Sequence, residues 1–301
     1  MIQPPGFSQQ ALNTSLGTLI YYSADSAFWQ EGKSQPSDGP DLRPPLVFLH
    51  GFGGGSSAYE WSKVYPAFAI DYHVLAPDLL GWGRSEHLSR GYQVEDYLTT
   101  IKEFLEQLCP QPTTVVASSL TAAMLVRVAI AYPKLFKSLI LTSPSGLSDF
   151  EKDYSRTFFA QLVSTPVLDR ILYSTGLATS GGIRSFLEKR QFARANRVSQ
   201  EMVDAYLTSA QQPKAEYSAL SFVRGDLCFD LAEYLPRLTT PTAILWGKQC
   251  QFTSYEIGQR LAELNPKAIK VLEILEDVGL TPHLELPAVT IGLIRKFLAM
   301  L

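Results

Sequence analysis

Ser119 sits between the apolar run Val115-Val116-Ala117 and the alanine-rich stretch Leu120-Thr121-Ala122-Ala123. That pattern predicts a strand turning sharply into a helix and holding one serine up at the turn, the layout of a nucleophile elbow. A serine hydroxyl becomes a useful nucleophile only when a base takes its proton and a third group orients that base. Ser118 competes for the same role. The residues two before and two after the presented serine must be small, and these are Ala117 and Thr121 for Ser119 but Val116 and Leu120 for Ser118. Ser119 is therefore the nucleophile position, with the β-branched Thr121 crowding the turn. A second chemical feature is His50-Gly51-Phe52-Gly53-Gly54-Gly55, which directly follows the apolar run Leu46–Leu49. Glycines at Gly51 and Gly53 let the backbone approach a ligand closely, so amides near Phe52 could meet an oxyanion together with the amide of Leu120. A glycine-rich turn without ligand is the plain alternative, and no Gly-Lys-Ser/Thr follows to make it a phosphate loop. His50 is expected to bond the loop backbone.

Composition narrows the setting in which these residues work. The chain has 301 residues, is 46% hydrophobic and carries a net charge of −3, which fits a globular protein with one large core or a core plus a cap. The longest basic block is Lys189-Arg190, so no footprint for nucleic acid exists, and small-molecule partners are expected. Cys109, Cys228 and Cys250 are odd in number, widely spaced and without a CxxC, which argues against a disulfide framework and against a metal site. A reducing, cytoplasmic setting is expected. The start Met1-Ile2-Gln3-Pro4-Pro5-Gly6 does not read as a signal peptide, and no run approaches the ~20 apolar residues of a spanning helix.

Position along the chain explains how the two features meet. Leu16–Tyr22 reads as an arm of a β hairpin, and 30–45, rich in Gly, Ser, Pro and Asp, as a surface loop. From Leu46 strands and helices alternate. Strands are expected at 46–49, 73–76, 114–117 and 138–141, with helices near 57–68, 94–108 and 120–131, which implies a parallel sheet covered on both faces. Between about Ser145 and Arg237 the strand signal vanishes and helical stretches replace it. Tyr154–Leu177 is rich in large apolar residues, with a helix break at Thr165-Pro166. Strands return at 242–246 and 271–275, and an amphipathic helix closes the chain from about Pro287.

These motifs stand in series: strand-His50-Gly51-Phe52-Gly53, then Asp78-Leu79-Leu80-Gly81-Trp82-Gly83-Arg84-Ser85, then the elbow, then Trp246-Gly247. In this order the chain resembles the α/β-hydrolase superfamily over nearly its whole length. The resemblance implies an α/β fold with an eight-stranded, mostly parallel sheet and helices on both faces. The core would be residues 1–147 and 236–301, and a helical cap 148–235 would be inserted after the sixth strand. It implies no cofactor and does not fix a substrate. It also locates the other two triad positions, and there this chain departs. The acid position after Trp246-Gly247 holds Cys250. The base position in Gly279-Leu280-Thr281-Pro282-His283-Leu284-Glu285-Leu286-Pro287 holds Leu280, which cannot carry a proton.

Three other residues are candidates to restore the chemistry: His283, Asp149 and Lys248. His283 lies three residues past the base position, where a helix-start or surface role is the plainer reading, since a base must come within about 2.6–3.2 Å of its proton. Surface roles are expected for His73 and His87. Asp149 follows the sixth strand and is a candidate acid, and Lys248 a base only if burial lowers its pKa. Cys250 itself would need a neighbouring cation or helix N-terminus to be reactive, and otherwise fills a vacated acid position. Two functions follow as expectations. One is a protein with a degenerate triad that binds a small, largely apolar, ester- or acyl-like ligand between cap and core without efficient hydrolysis. The other is a non-standard serine hydrolase, esterase- or lipase-like, using Ser119 with a relocated base. The apolar cap is expected to line the ligand site, and could also rest on a membrane surface.

Overall fold

The computed structural model describes residues 3–29, 43–151 and 173–301. The surface loop expected at 30–45 and the helix break at Thr165-Pro166 fall largely or wholly outside them. Eight strands form one sheet in the order β1-β2-β4-β3-β5-β6-β7-β8. They are β1 Phe7–Thr14, β2 Gly17–Ala24, β3 Pro45–Leu49, β4 His73–Pro77, β5 Thr113–Ser118, β6 Phe136–Thr142, β7 Thr242–Gly247 and β8 Ile269–Leu275. β2 runs antiparallel to β1 and to β4, and every other pairing is parallel.

The central strands show why their sequences are apolar without a break. β3, β5 and β7 are buried at every residue. Successive side chains point to opposite faces of a sheet, so a strand covered on both sides needs apolar residues in both phases. Val47, Leu49, Val115, Ala117, Leu139 and Leu141 enter one core, and Leu46, Phe48, Val116, Ile140 and Ala243 enter the other.

The helices supply the covering layers. They are α1 Ser26–Trp29, α2 Val94–Leu108, α3 Ser119–Ala131, α4 Ser180–Phe186, α5 Gln200–Ala210, α6 Ala215–Arg224, α7 Tyr255–Glu263, α8 Pro282–Glu285 and α9 Pro287–Met300. In α2 the residues Val94, Tyr97, Ile101, Phe104 and Leu105 are buried, a helical stripe at intervals of three, four and one. Its N-terminus is set by Asp96, whose carboxylate accepts the Gln93 N–H at 2.9 Å and both Arg90 guanidinium arms at 2.7 and 2.8 Å. On the opposite face Ile294 and Phe297 of α9 join Trp61, Tyr65 and Phe68.

One expected helix takes another form. Residues 57–68 make two short 3₁₀ turns, Ala58–Trp61 and Tyr65–Phe68. Pro66 lacks the N–H a continuous α-helix would need there, and its ring disfavours helical backbone in the residue before it.

Between β6 and β7 the described residues are helical, with one isolated bridge, Leu147 to Phe229. Serines tie this segment to loops of the sheet. Ser209 Oγ donates to Ser56 O at 3.1 Å and accepts the Gly83 N–H at 3.0 Å, Ser218 Oγ donates to Gly81 O, and Ser221 Oγ accepts the Tyr92 N–H at 2.9 Å. No helix among the described residues is long and apolar enough to cross a membrane.

Candidate functional site at the strand-to-helix turn

Ser119 is the first residue of α3 and takes a left-handed backbone, φ 56°. Ser118 is extended at φ −121° and ends β5. Left-handed backbone costs a non-glycine residue of order 1–3 kcal/mol, which a protein tolerates where surrounding packing fixes the turn. Ala117 and Thr121 are both fully buried, so the β-branched residue is accommodated without unmaking the turn. Ser119 is 6% exposed and Ser118 not at all.

Gly51 explains how the glycine loop reaches the serine. A Cβ at this position would lie 3.0 Å from Ser118 Oγ and 3.3 Å from Ser119 Cβ. The loop after β3 therefore packs directly on the turn, and a side chain at this position would crowd it. Each of its residues is anchored differently. The Gly51 N–H donates to Glu60 Oε2 at 2.9 Å. Phe52 sits against Trp82, Tyr97 and Phe222, ring centroids 5.2, 4.8 and 6.1 Å away. Gly55, at φ 98°, lies so close to the Tyr206 carbonyl that a Cβ would be 2.1 Å from it. His50 bonds backbone at both ring nitrogens, Nδ1 to Gly51 O at 2.7 Å and Nε2 to the Leu79 N–H at 2.9 Å. An Nε2 that accepts fixes this ring as the neutral Nδ1–H tautomer.

The structure brings the loops of Cys250 and Leu280 together. A Cβ on Gly247 would lie 1.9 Å from Gly279 O, and the Gln249 N–H donates to Val278 O at 2.9 Å. Both side chains are buried, Cys250 at 8% and Leu280 at 6% exposure. Burial pushes the Cys250 thiol above its ordinary range, with amide contacts from Thr253 and Phe252 opposing. No thiolate is favoured there. The Leu280 N–H donates to Gln191 O at 2.8 Å, so the helical segment covers this loop directly.

The remaining candidates are placed as follows. Asp149 is 2% exposed and accepts Ser145 Oγ–H at 2.6 Å, the Gly146 N–H at 3.1 Å and the Leu231 N–H at 2.9 Å. It thus fastens the chain leaving β6 to the chain returning to β7, and burial raises its pKa. Lys248 pairs with Glu276 at 2.6 Å, which raises its pKa, the opposite of what a lysine base needs. His73 Nε2 contacts Ser23 Oγ at 3.1 Å. His87 is half-buried rather than a surface residue, 3.3 Å from Gly83 O, and burial lowers its pKa.

His283 departs furthest from its plainer expectation. It opens the first turn of α8, but it is fully buried and not a surface residue. Its ring stacks on Trp61 with centroids 3.8 Å apart and planes 15° apart, and Nε2 lies 3.8 Å from Glu60 Oε2. The short helix α8 thus directs this side chain inward onto Trp61 rather than toward solvent.

Glu60 carries a role the sequence did not signal. Buried at 2% exposure, it accepts the Gly51 N–H and, through Oε1, the Tyr206 O–H at 2.9 Å. Burial alone would raise its pKa, but its polar neighbours His283 and Ser56 outweigh this and hold it well below the usual carboxylate range. Burial lowers His283, with Glu60 opposing. The pair is an ionised carboxylate beside a neutral imidazole. No group of three potential metal ligands occurs among the described residues.

A family model described as the alpha/beta hydrolase fold matches residues 44–279. The RutD protein of Stutzerimonas stutzeri, named provisionally as a carbamate hydrolase, is 28% identical over 231 residues, 76% of this chain and 82% of that one. Lipase 3 of Moraxella sp. is 24% identical over 80% of this chain and 73% of its own. Among solved structures, the carboxylesterase CesB of Bacillus subtilis superposes with a TM-score of 0.72 at 18% identity, covering 98% of this chain and 92% of that one. At that identity the likeness is one of fold.

Proposed function

The chain belongs to the α/β-hydrolase-fold family, and from that premise we propose that it binds a small, largely apolar, ester- or acyl-like ligand at Ser119 without efficient hydrolysis. The segment between β6 and β7 acts as the cap over this ligand. The Phe52 and Leu120 amides face the ligand's carbonyl, since the Gly51 amide is already taken by Glu60. The observation that carries this reading is that the loops bearing Leu280 and Cys250 lie directly against one another. Where similar proteins carry a base and an acid, this chain has an alkyl group and a thiol held neutral by burial.

Magnitude sets the expectation. In the subtilisin case, losing the histidine alone costs about 10⁶ in rate, leaving roughly 10³–10⁴ over water from the oxyanion hole and binding. An elbow serine without its base starts from such a floor. The alternative is an esterase- or lipase-like hydrolase in which His283, with Glu60 beside it, serves as the relocated base. The 3.8 Å approach of the two side chains favours that reading over other rescues. Three cysteines without a disulfide fit the reducing, cytoplasmic setting that is part of the proposal.

Treatment with a fluorophosphonate probe separates the two, with Ser119→Ala as control. No Ser119-dependent labelling at high probe excess is expected. Rapid labelling lost in Ser119→Ala would replace the binding reading with the hydrolase one.

A further inference from the structure

Glu60 is a buried carboxylate where three parts of the molecule meet. Oε2 holds the Gly51 N–H of the glycine loop, and Oε1 holds the Tyr206 hydroxyl of α5. The Tyr206 hydroxyl in turn accepts Gln191 Nε2–H at 2.8 Å. Gln191 then reaches the loop of Leu280 twice, through its carbonyl to the Leu280 N–H at 2.8 Å and through Nε2 to Thr281 Oγ1 at 3.3 Å. Among the described residues the only basic side chain within ion-pair range of Glu60 is His283, at 3.8 Å, and its imidazole is neutral. Burying a carboxylate is costly unless several donors satisfy it. Here the donors come from the loop and from the helical segment, so the charge is well served only when that segment is seated.

The loop needs such a support. Glycines at Gly51, Gly53, Gly54 and Gly55 leave its backbone free to adopt many conformations. A charge-assisted hydrogen bond to Gly51 N–H fixes one peptide plane, and with it the direction of the next amide, that of Phe52. Glu60 is itself held firmly, because its 3₁₀ turn is pinned by Trp61 Nε1–H to Leu49 O at 2.9 Å and by the Ala58 N–H to Asp78 Oδ1 at 2.7 Å.

We propose that Glu60 is a positioning residue that couples seating of the helical segment, through Tyr206, to the conformation of the Gly51–Phe52 loop. A glutamine at 60 cannot replace it, since its NH₂ would face one of the two donors. A phenylalanine at 206 removes only the arm from the helical segment. The proposal rests on the binding reading only in taking Phe52 N–H as the donor that meets the ligand.

The test is hydrogen–deuterium exchange on the full-length wild type, Tyr206→Phe and Glu60→Gln, followed in peptides covering Leu49–Trp61. Exchange at Gly51–Gly55 is expected to rise about tenfold or more in both variants, as fits loss of one hydrogen bond to a charged group, while β5 and β6 stay protected. Unchanged exchange at Gly51–Gly55 in Tyr206→Phe, which retains the ring and the Gly51 bond, would overturn the proposal. A second readout compares binding of n-octylphosphonate, a tetrahedral anion, with n-octanol. The preference for the phosphonate is expected to fall about tenfold in Glu60→Gln, a selective change that general loosening would not produce. If the wild type shows no such preference while exchange still responds, the positioning role stands and the donor role of Phe52 falls.

Discussion

His283 is the residue whose chemistry depends most on its surroundings. Its imidazole has the indole of Trp61 on one face and Glu60 near one edge, with no contact to bulk water. Burial keeps its folded pKa below the ordinary value of 6.5. Below that value the unfolded chain binds a proton that the folded one refuses. Stability therefore rises with pH across the window just under 6.5 and falls as the solution is acidified. Urea denaturation of wild type and His283→Gln at pH 5.0 to 7.5 is expected to show this slope in the wild type and a clearly smaller one in the variant. Equal slopes would mean that the ring takes up its proton as readily in the folded chain as in the unfolded one. The sequence placed His283 at a helix start, but nothing in the spacing of Pro282 and Leu284 disclosed that Trp61, more than two hundred positions earlier, receives it.

At the scale of elements, the loops after β7 and β8 meet because those strands are parallel neighbours with both C-terminal ends at one edge of the sheet. The loop after β5 opens at the same edge, which is where open parallel sheets place their ligands. Placing a histidine and a carboxylate on these two loops tests the proposed arrangement. Leu280→His combined with Cys250→Asp is expected to raise p-nitrophenyl ester turnover by at least tenfold over the wild type, with the single variants gaining less, because base and orienting acid act as a unit. No gain in a folded double variant would mean that the turn at Ser119 or the glycine loop is set for something other than acyl chemistry. The elements themselves were legible. α2 begins and ends where its apolar stripe does, and the central strands lie within a residue or two of their apolar runs. The region 57–68 differs from the expected helix because Pro66 lies inside it and breaks the hydrogen-bond ladder.

Across the whole molecule, protection should follow depth in the sheet. β3, β5 and β7 have no exposed residue, whereas β1 is an edge strand with four of its eight residues exposed. Native-state hydrogen exchange is expected to find the 46–49, 113–118 and 242–247 amides exchanging only through global unfolding. Amides of Phe7–Thr14 should open first, by local fraying of the hairpin. If β1 matched the central strands in protection, the edge would be held by contacts beyond those of its own hairpin.

The sequence by itself determined the architecture and the part of the fold where a site is to be sought. Strand and helix periodicity is a local property, and the order of short motifs along the chain is enough to place Ser119, Cys250 and Leu280 on their loops. It also disclosed that Leu280 carries a side chain unable to move a proton, since that depends on residue type alone. What only the tertiary structure decided was partnership. That Glu60 takes the Gly51 amide, that Tyr206 closes over it, and that His283 is buried against Trp61 are contacts between residues far apart in the chain, with no periodic signal linking them. A buried charge is tolerated only where distant donors converge on it, and such convergence is a property of the packed molecule.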